Sequence, residues 1–124
     1  MAVHFVDVGK QWVVDKLDDS QASTMNRIGW GTGAGTTAES DTTLFTEASE
    51  TRATGTVSQQ TTTVTGDTYR VVGTLTATGT KTITNAGLFD AATTGNMLIK
   101  GDHAGVPLLT GDSIEYTFSL HVDQ

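Results

Sequence analysis

Residues 113–122 read Ser-Ile-Glu-Tyr-Thr-Phe-Ser-Leu-His-Val. Ile114, Tyr116, Phe118, Leu120 and Val122 alternate with Ser113, Glu115, Thr117, Ser119 and His121. A period of two puts the first set on one face of a strand and the second on the other. The stretch predicts a strand with one buried and one wetted face. Phe118 sits in the middle of the buried set.

Working upstream, turn signals separate further strands. Gly101-Asp102 and Gly111-Asp112 bracket Val106, Leu108 and Leu109. Residues 97–100 read as a strand returning from a hairpin-like loop over 90–96. Residues 81–89 and 69–78 read as strands, with a turn at 78–80 between them. Gly66-Asp67 is a turn, and 52–65 alternates loosely with Ala53, Gly55, Val57 and Gln59 on one parity. Residues 25–30 form a strand that runs into Gly31-Thr-Gly33-Ala-Gly35, expected as a surface loop because ordered glycine loses the most backbone entropy. Residues 3–8 have strand composition. Two short helices are expected. One spans 10–18 with Val13, Val14 and Leu17 at helical spacing. The other spans 40–48, with Ser40 or Asp41 as N-cap and Leu44, Phe45 and Ala48 on one face. Strands at this spacing predict an all-β fold, an antiparallel β-sandwich or jelly-roll-like single domain with one or two short accessory helices.

Composition agrees. The chain has 124 residues, enough for one domain. Hydrophobic residues are 36% and charged residues 17%, and the difference goes to 25 threonines and 14 glycines. Threonine favours strands and glycine favours turns, which excludes a helical bundle. Seven basic against 14 acidic residues give a net charge of -7, with no lysine or arginine cluster. Nucleic acid and anionic membranes are therefore not expected as partners. With no cysteine, disulfides and thiolate metal sites are excluded. No apolar run approaches the ~18 residues of a membrane span. Residues 1–5 lack the basic and apolar regions of a signal peptide, so Sec export is not expected.

Chemistry-bearing motifs are weak. Gly29-Trp30-Gly31-Thr32-Gly33-Ala34 matches the dinucleotide pattern formally. That pattern works only where a helix starts and meets the pyrophosphate, and here more glycine and threonine follow. His4, His103 and His121 have no metal-ligand spacing, and His121 falls on the wetted face of the last strand. Asp90 with Asn96, or Asp102 with Asp112, offers oxygens to calcium, but turn hydrogen bonds explain them as well. No acid/base carboxylate pair and no Gly-x-Ser-x-Gly elbow is present. The expectation is a non-enzyme without cofactor, metal or small-molecule substrate.

Trp12 and Trp30 have two readings, core packing or interface anchoring. Residues 1–23 carry Phe5, Trp12, Val13, Val14 and Leu17 in a charged setting, ahead of the strands of the sandwich (24–124). They are read either as a partner-binding arm or as a cap on one end of the sandwich. The candidate partner-binding residues are Phe5, Trp12, Val14, Leu17, Trp30, Gly31 and Gly33.

Three segments carry a resemblance. They are Ile28-Gly-Trp-Gly-Thr-Gly-Ala-Gly-Thr-Thr-Ala-Glu-Ser-Asp-Thr-Thr-Leu-Phe-Thr-Glu47, Ile83-Thr-Asn-Ala-Gly-Leu-Phe-Asp90, and Gly111-Asp112 before the last strand. Val8-Gly-Lys-Gln-Trp-Val-Val-Asp-Lys-Leu17 fits beside them. Together they resemble a family of small tailed-bacteriophage virion structural proteins, with Asn85 where the pattern usually has an acidic residue. The resemblance implies a capsid decoration (cement) protein, a homotrimer on the outer head surface bound to the major capsid protein and assembled in the host cytoplasm. The alternative it implies is a tail-fibre, baseplate or receptor-binding component. The acidic charge suits the outside of a DNA-filled shell.

Overall fold

The strand over the last stretch forms where the alternation places it. The computed structural model describes residues 2–123. Its elements are β1 (Val3–Phe5), α1 (Asp7–Leu17), β2 (Arg27–Gly31), β3 (Ala53–Thr54), β4 (Thr56–Gln60), β5 (Thr68–Thr76), β6 (Lys81–Phe89), β7 (Met97–Leu108) and β8 (Ser113–His121). They make two antiparallel sheets, β1-β7-β6-β2-β3 and β4-β5-β8. The chain is an all-β sandwich with one short helix.

The apolar residues of both sheets meet between them. Ile28, Trp30, Ile83, Leu88 and Leu98 come from the larger sheet; Val71, Leu75 and Phe118 come from the smaller. Burying each such side chain contributes ~1.5–3 kcal/mol. Phe118 is opposite Val71 in the β5–β8 register. Ile114, Tyr116 and Leu120 share its face and pack on the core as half-buried residues. The inward face of β8 is therefore as read, but it stops at His121. Val122 lies beyond the strand and is exposed.

Four features differ from the sequence reading. No helix forms over 40–48. That stretch instead runs beside β2, with Thr32 N–H bonded to Thr46 C=O, Gly33 N–H to Phe45 C=O and Ala48 N–H to Trp30 C=O. The backbone groups a helix would use are thus taken by β2 and its extension. The glycine run is not a free surface loop at its start. Gly31 is buried and Gly33 half-buried, and a Cβ on Gly33 would fall 2.8 Å from the Phe45 carbonyl carbon. Only glycine allows that approach. Gly101-Asp102 does not end a strand, because β7 continues through it to Leu108 along β6. Finally, 52–65 is not one strand. β3 pairs with β2 and β4 pairs with β5, so the chain crosses between sheets at Gly55, whose N–H bonds Asn26 C=O at 2.7 Å.

The N-terminal segment is docked, not extended. β1 pairs with β7 through Val3–Gly101, His4–Lys100 and Phe5–Ile99. α1 begins earlier than expected and turns a different face inward. Its buried residues are Gly9 and Trp12, while Val14 and Leu17 are exposed. A Cβ at Gly9 would lie 2.7 Å from Leu98 Cα, so the helix rests directly on the β7 backbone. Residues 3–17 thus lie against the larger sheet, β1 along the edge of β7 and α1 on the β7 backbone.

Candidate interaction surface

The candidate partner-binding residues divide by exposure. Trp12 is buried, and its Nε1–H donates to Ser23 Oγ and Asp90 Oδ2, both at 3.1 Å. Trp30 is 1% exposed and donates to Glu50 Oε1 at 3.1 Å. Both indoles pack into the core; Trp30 is closed off, and Trp12 shows only an edge in a shallow groove beside Val8, Gln11 and Asp15. Phe5 is half-buried against the core, Gly31 is buried and Gly33 lies under Phe45. Of the seven, Val14 (60%) and Leu17 (82%) alone present a large apolar side chain to solvent. They lie three residues apart on the outer face of α1.

Asp90 makes the turn bond to Asn96 and two long-range bonds besides. Its Oδ1 accepts Asn96 N–H at 2.7 Å, and Oδ2 accepts from Ser23 and Trp12. The carboxylate thus ties the 90–96 loop to α1. Asp102 accepts Thr37 N–H at 2.7 Å and Ala2 N–H at 3.2 Å, and Asp112 accepts Leu109 N–H at 2.8 Å. The Asp112 bond is a turn bond, whereas Asp102 sits inside β7 and ties down backbone 65 and 100 positions away. His121 is not simply solvated: its ring Nε2 lies 2.9 Å from Asp67 Oδ2. Val64 N–H holds the Asp67 carboxyl well below the usual carboxylate range, against a desolvation effect and with help from Thr62 and Thr63 N–H.

The connection 32–52 is the longest irregular stretch, and buried polar side chains from the larger sheet pin it. Lys100 of β7 is fully buried, with Nζ 2.9 Å from Asp41 Oδ2 and 3.3 Å from the centre of the Phe45 ring. Burial pushes the Asp41 carboxyl up, but the bonds from Lys100 and Ala38 N–H outweigh it and leave it below its ordinary value. Asn85 of β6 reads the Phe45 backbone on both sides. Its Oδ1 accepts Phe45 N–H (3.0 Å) and its Nδ2 donates to Phe45 C=O (3.1 Å). Arg52 forks onto Glu47 at 2.7 and 2.9 Å, donates to the Ala91 and Thr94 carbonyls, and lies 3.5 Å over the Phe89 ring. Glu50 accepts from Trp30, Thr78 and Lys81. Burial raises the Glu50 carboxyl, yet the Lys81 ammonium, the Thr78 N–H and hydroxyl and its own backbone N–H hold it at about 2. A stretch without regular structure is thereby tied to the sheet at Asp41, Phe45, Glu47, Glu50 and Arg52.

The sandwich is unequal on its two flanks. β5 contacts β2 and β3. On the other flank β8 is the free edge of its sheet, and a groove of about 370 Å³ opens beside it. Ala86, Ile99, Gly101 and Val3 line one wall, and Tyr116, Thr117, Phe118 and Ser119 the other. His103 Nε2 and Tyr116 Oη, 2.9 Å apart, tie the walls together. Burial pushes the Tyr116 phenol up to about 12.

No family model, curated protein or solved structure matches the chain.

Sequence reasoning missed the pinning residues. A usable signal was there: Lys100 closes the apolar run Met97-Leu-Ile, and Asn85 sits within Ile83 to Phe89. A lone polar residue in an apolar strand is buried only with a partner. The groove left no such signal, because it arises from how far one sheet extends past the other.

Proposed function

We propose that this protein is a non-enzymatic structural component of a tailed-phage virion that decorates and stabilises the outer head shell. The observation that carries the reading is where the resembling segments lie. Ile28 to Glu47 supplies β2 and most of the connection 32–52. Ile83 to Asp90 supplies β6, which pairs with β2, and its Asn85 grips Phe45. These two segments thus form adjacent strands and the connection pinned on them; Val8–Leu17 forms α1, and Gly111-Asp112 the turn before β8. None of them gathers around a reactive centre. An acidic outer surface keeps such a protein off the DNA and leaves it free to sit on a shell. Its partners on this reading are the major capsid protein and two further copies of itself.

Copy number tests this. Gel densitometry of purified particles against the major capsid protein should give a stoichiometry of hundreds of copies per virion. A few dozen copies or fewer would place the protein in the tail fibre or baseplate instead. Sedimentation at tens of micromolar should show a trimer. A monomer in solution would confine trimerisation to the shell.

A further inference from the structure

The free edge of β8 has a defined set of unpaired main-chain groups. Val122 N–H bonds Asp67 C=O, and Ala77 N–H bonds Asp112 C=O. Both fit the β5–β8 register, in which Thr68 is opposite His121. In an antiparallel ladder such bonds fall at alternate residues. The even-numbered residues of β8 therefore bond β5. The odd-numbered residues Glu115, Thr117 and Ser119 turn their N–H and C=O groups outward. Among the described residues no strand pairs with that edge. The edge is nine residues long, has no proline or lysine, and its register has no bulge. Edges of this kind invite pairing with another strand.

The groove says what fits there. β8 lies over Ala86 of β6 and Ile99 of β7, and Val3 of β1 lines the same groove one strand further out. The larger sheet thus overhangs the smaller, and Val3 is 58% exposed on the overhang. A strand laid beside β8, about 4.8 Å away, would cover that overhang at sheet-packing distance. A second copy presenting its own β8 edge-on would place its β6 and β7 where this chain's β7 and β1 already lie. A whole sandwich paired antiparallel through its own β8 therefore meets this overhang, whereas a single extended segment does not. Glu115 is exposed on β8, and the chain carries a net charge of -7.

We propose that the groove between β8 and the β7–β1 overhang accepts an extended, basic segment of the shell protein as a fourth strand of the smaller sheet. Aliphatic side chains at alternate positions enter the groove over Val3 and Ile99, and a lysine or arginine lies near Glu115. This rests on the decoration reading, and it specifies the contact. Main-chain bonds of strand addition supply affinity, and the alternate side-chain pockets supply selectivity.

The test compares binding to purified undecorated shells of the phage that encodes the chain. Thr117→Pro removes an outward N–H and leaves the β5 ladder intact, as proline is tolerated at a free edge. Val3→Trp fills the groove from the β1 wall and leaves the β8 main chain unchanged. Glu115→Lys reverses the charge. Each variant should melt close to the wild type. The first two should bind shells at least about tenfold more weakly, a change well above assay scatter. The third should weaken binding most at low salt. If Thr117→Pro does not fold, Val3→Trp carries the test alone. Variants that fold and bind like the wild type overturn the strand addition and leave the decoration reading standing. A wild-type protein that does not bind shells overturns the decoration reading, and the shell segment with it.

Discussion

The two flanks of the sandwich use the same kinds of residue and end differently. On the β2–β3–β5 flank the chain itself passes from one sheet to the other at Gly55. Met25, Ile28 and Val71 are fully buried there, and Tyr69 Oη donates to Met25 C=O at 2.8 Å. On the β7–β1–β8 flank the sheets are joined through residues 109–112 at one end and by the His103–Tyr116 bond, and a groove remains. Both flanks have a backbone crossing. At Gly55 it falls between two paired strands with buried side chains around it, whereas at 109–112 it joins β7 to β8 only at their ends and a groove remains along β8.

The largest effect should come from the residue both flanks share. Phe118 packs on Val71 and also lines the groove. Phe118→Ala should cost ~3–5 kcal/mol, read by urea denaturation. A loss under 1 kcal/mol, the size of a single neutral hydrogen bond, would mean that the closed flank holds the fold by itself.

Gly55→Ala sharpens the contrast. The added Cβ meets Val71 Cγ1 at the crossing, and overpacking there should cost ~1–3 kcal/mol. Thr117→Ala on the open edge should stay within ~0.5 kcal/mol of wild type. Equal costs would erase the distinction between the flanks.

The pH dependence separates the pinned connection from the groove. Glu50 titrates at about 2 in the folded chain against an ordinary 4.5. The unfolded chain takes up the proton first, so this stability is complete above pH 4.5 and is lost as pH falls to about 2. Melting temperature should drop across that window, and less steeply in Glu50→Gln. Tyr116 works in the opposite sense. Its folded value is about 12 against an ordinary 10.0, so its contribution is complete below pH 10 and is lost as pH rises to about 12. Tyr116→Phe should remove that alkaline loss.

The smallest effect belongs to α1. Leu17 is 82% exposed, and Leu17→Ser should change stability by no more than ~0.5 kcal/mol. A larger loss would show that Leu17 is covered, which would require a partner on the helix.

These contrasts also mark what the sequence made legible. Alternation in 113–121 could be read directly, because a half-buried strand writes its faces into every second residue; 81–89, buried on both faces from Asn85 to Phe89, was legible from its composition and the turn before it. The inward face of α1 could not be read. Gly9 carries no side chain to register on a hydrophobic wheel, and Trp12 is held by Asp90, which is 78 residues away. The segment 40–48 has a good N-cap and apolar helical spacing, yet Asn85 and Lys100 claim Phe45 and Asp41 from another sheet position. Long-range polar anchors override local propensity there. Of the candidate contact residues, both tryptophans were drawn inward because each indole N–H finds a carboxylate.

Amide hydrogen exchange along β8 in the free protein tests the open flank most directly. Outward N–H groups of Glu115, Thr117 and Ser119 should exchange fast, and those of Tyr116, Phe118 and Leu120 should exchange slowly with the β5 ladder. Equal protection of both sets would show that the edge is already covered, and would contradict the account of an open flank awaiting a strand.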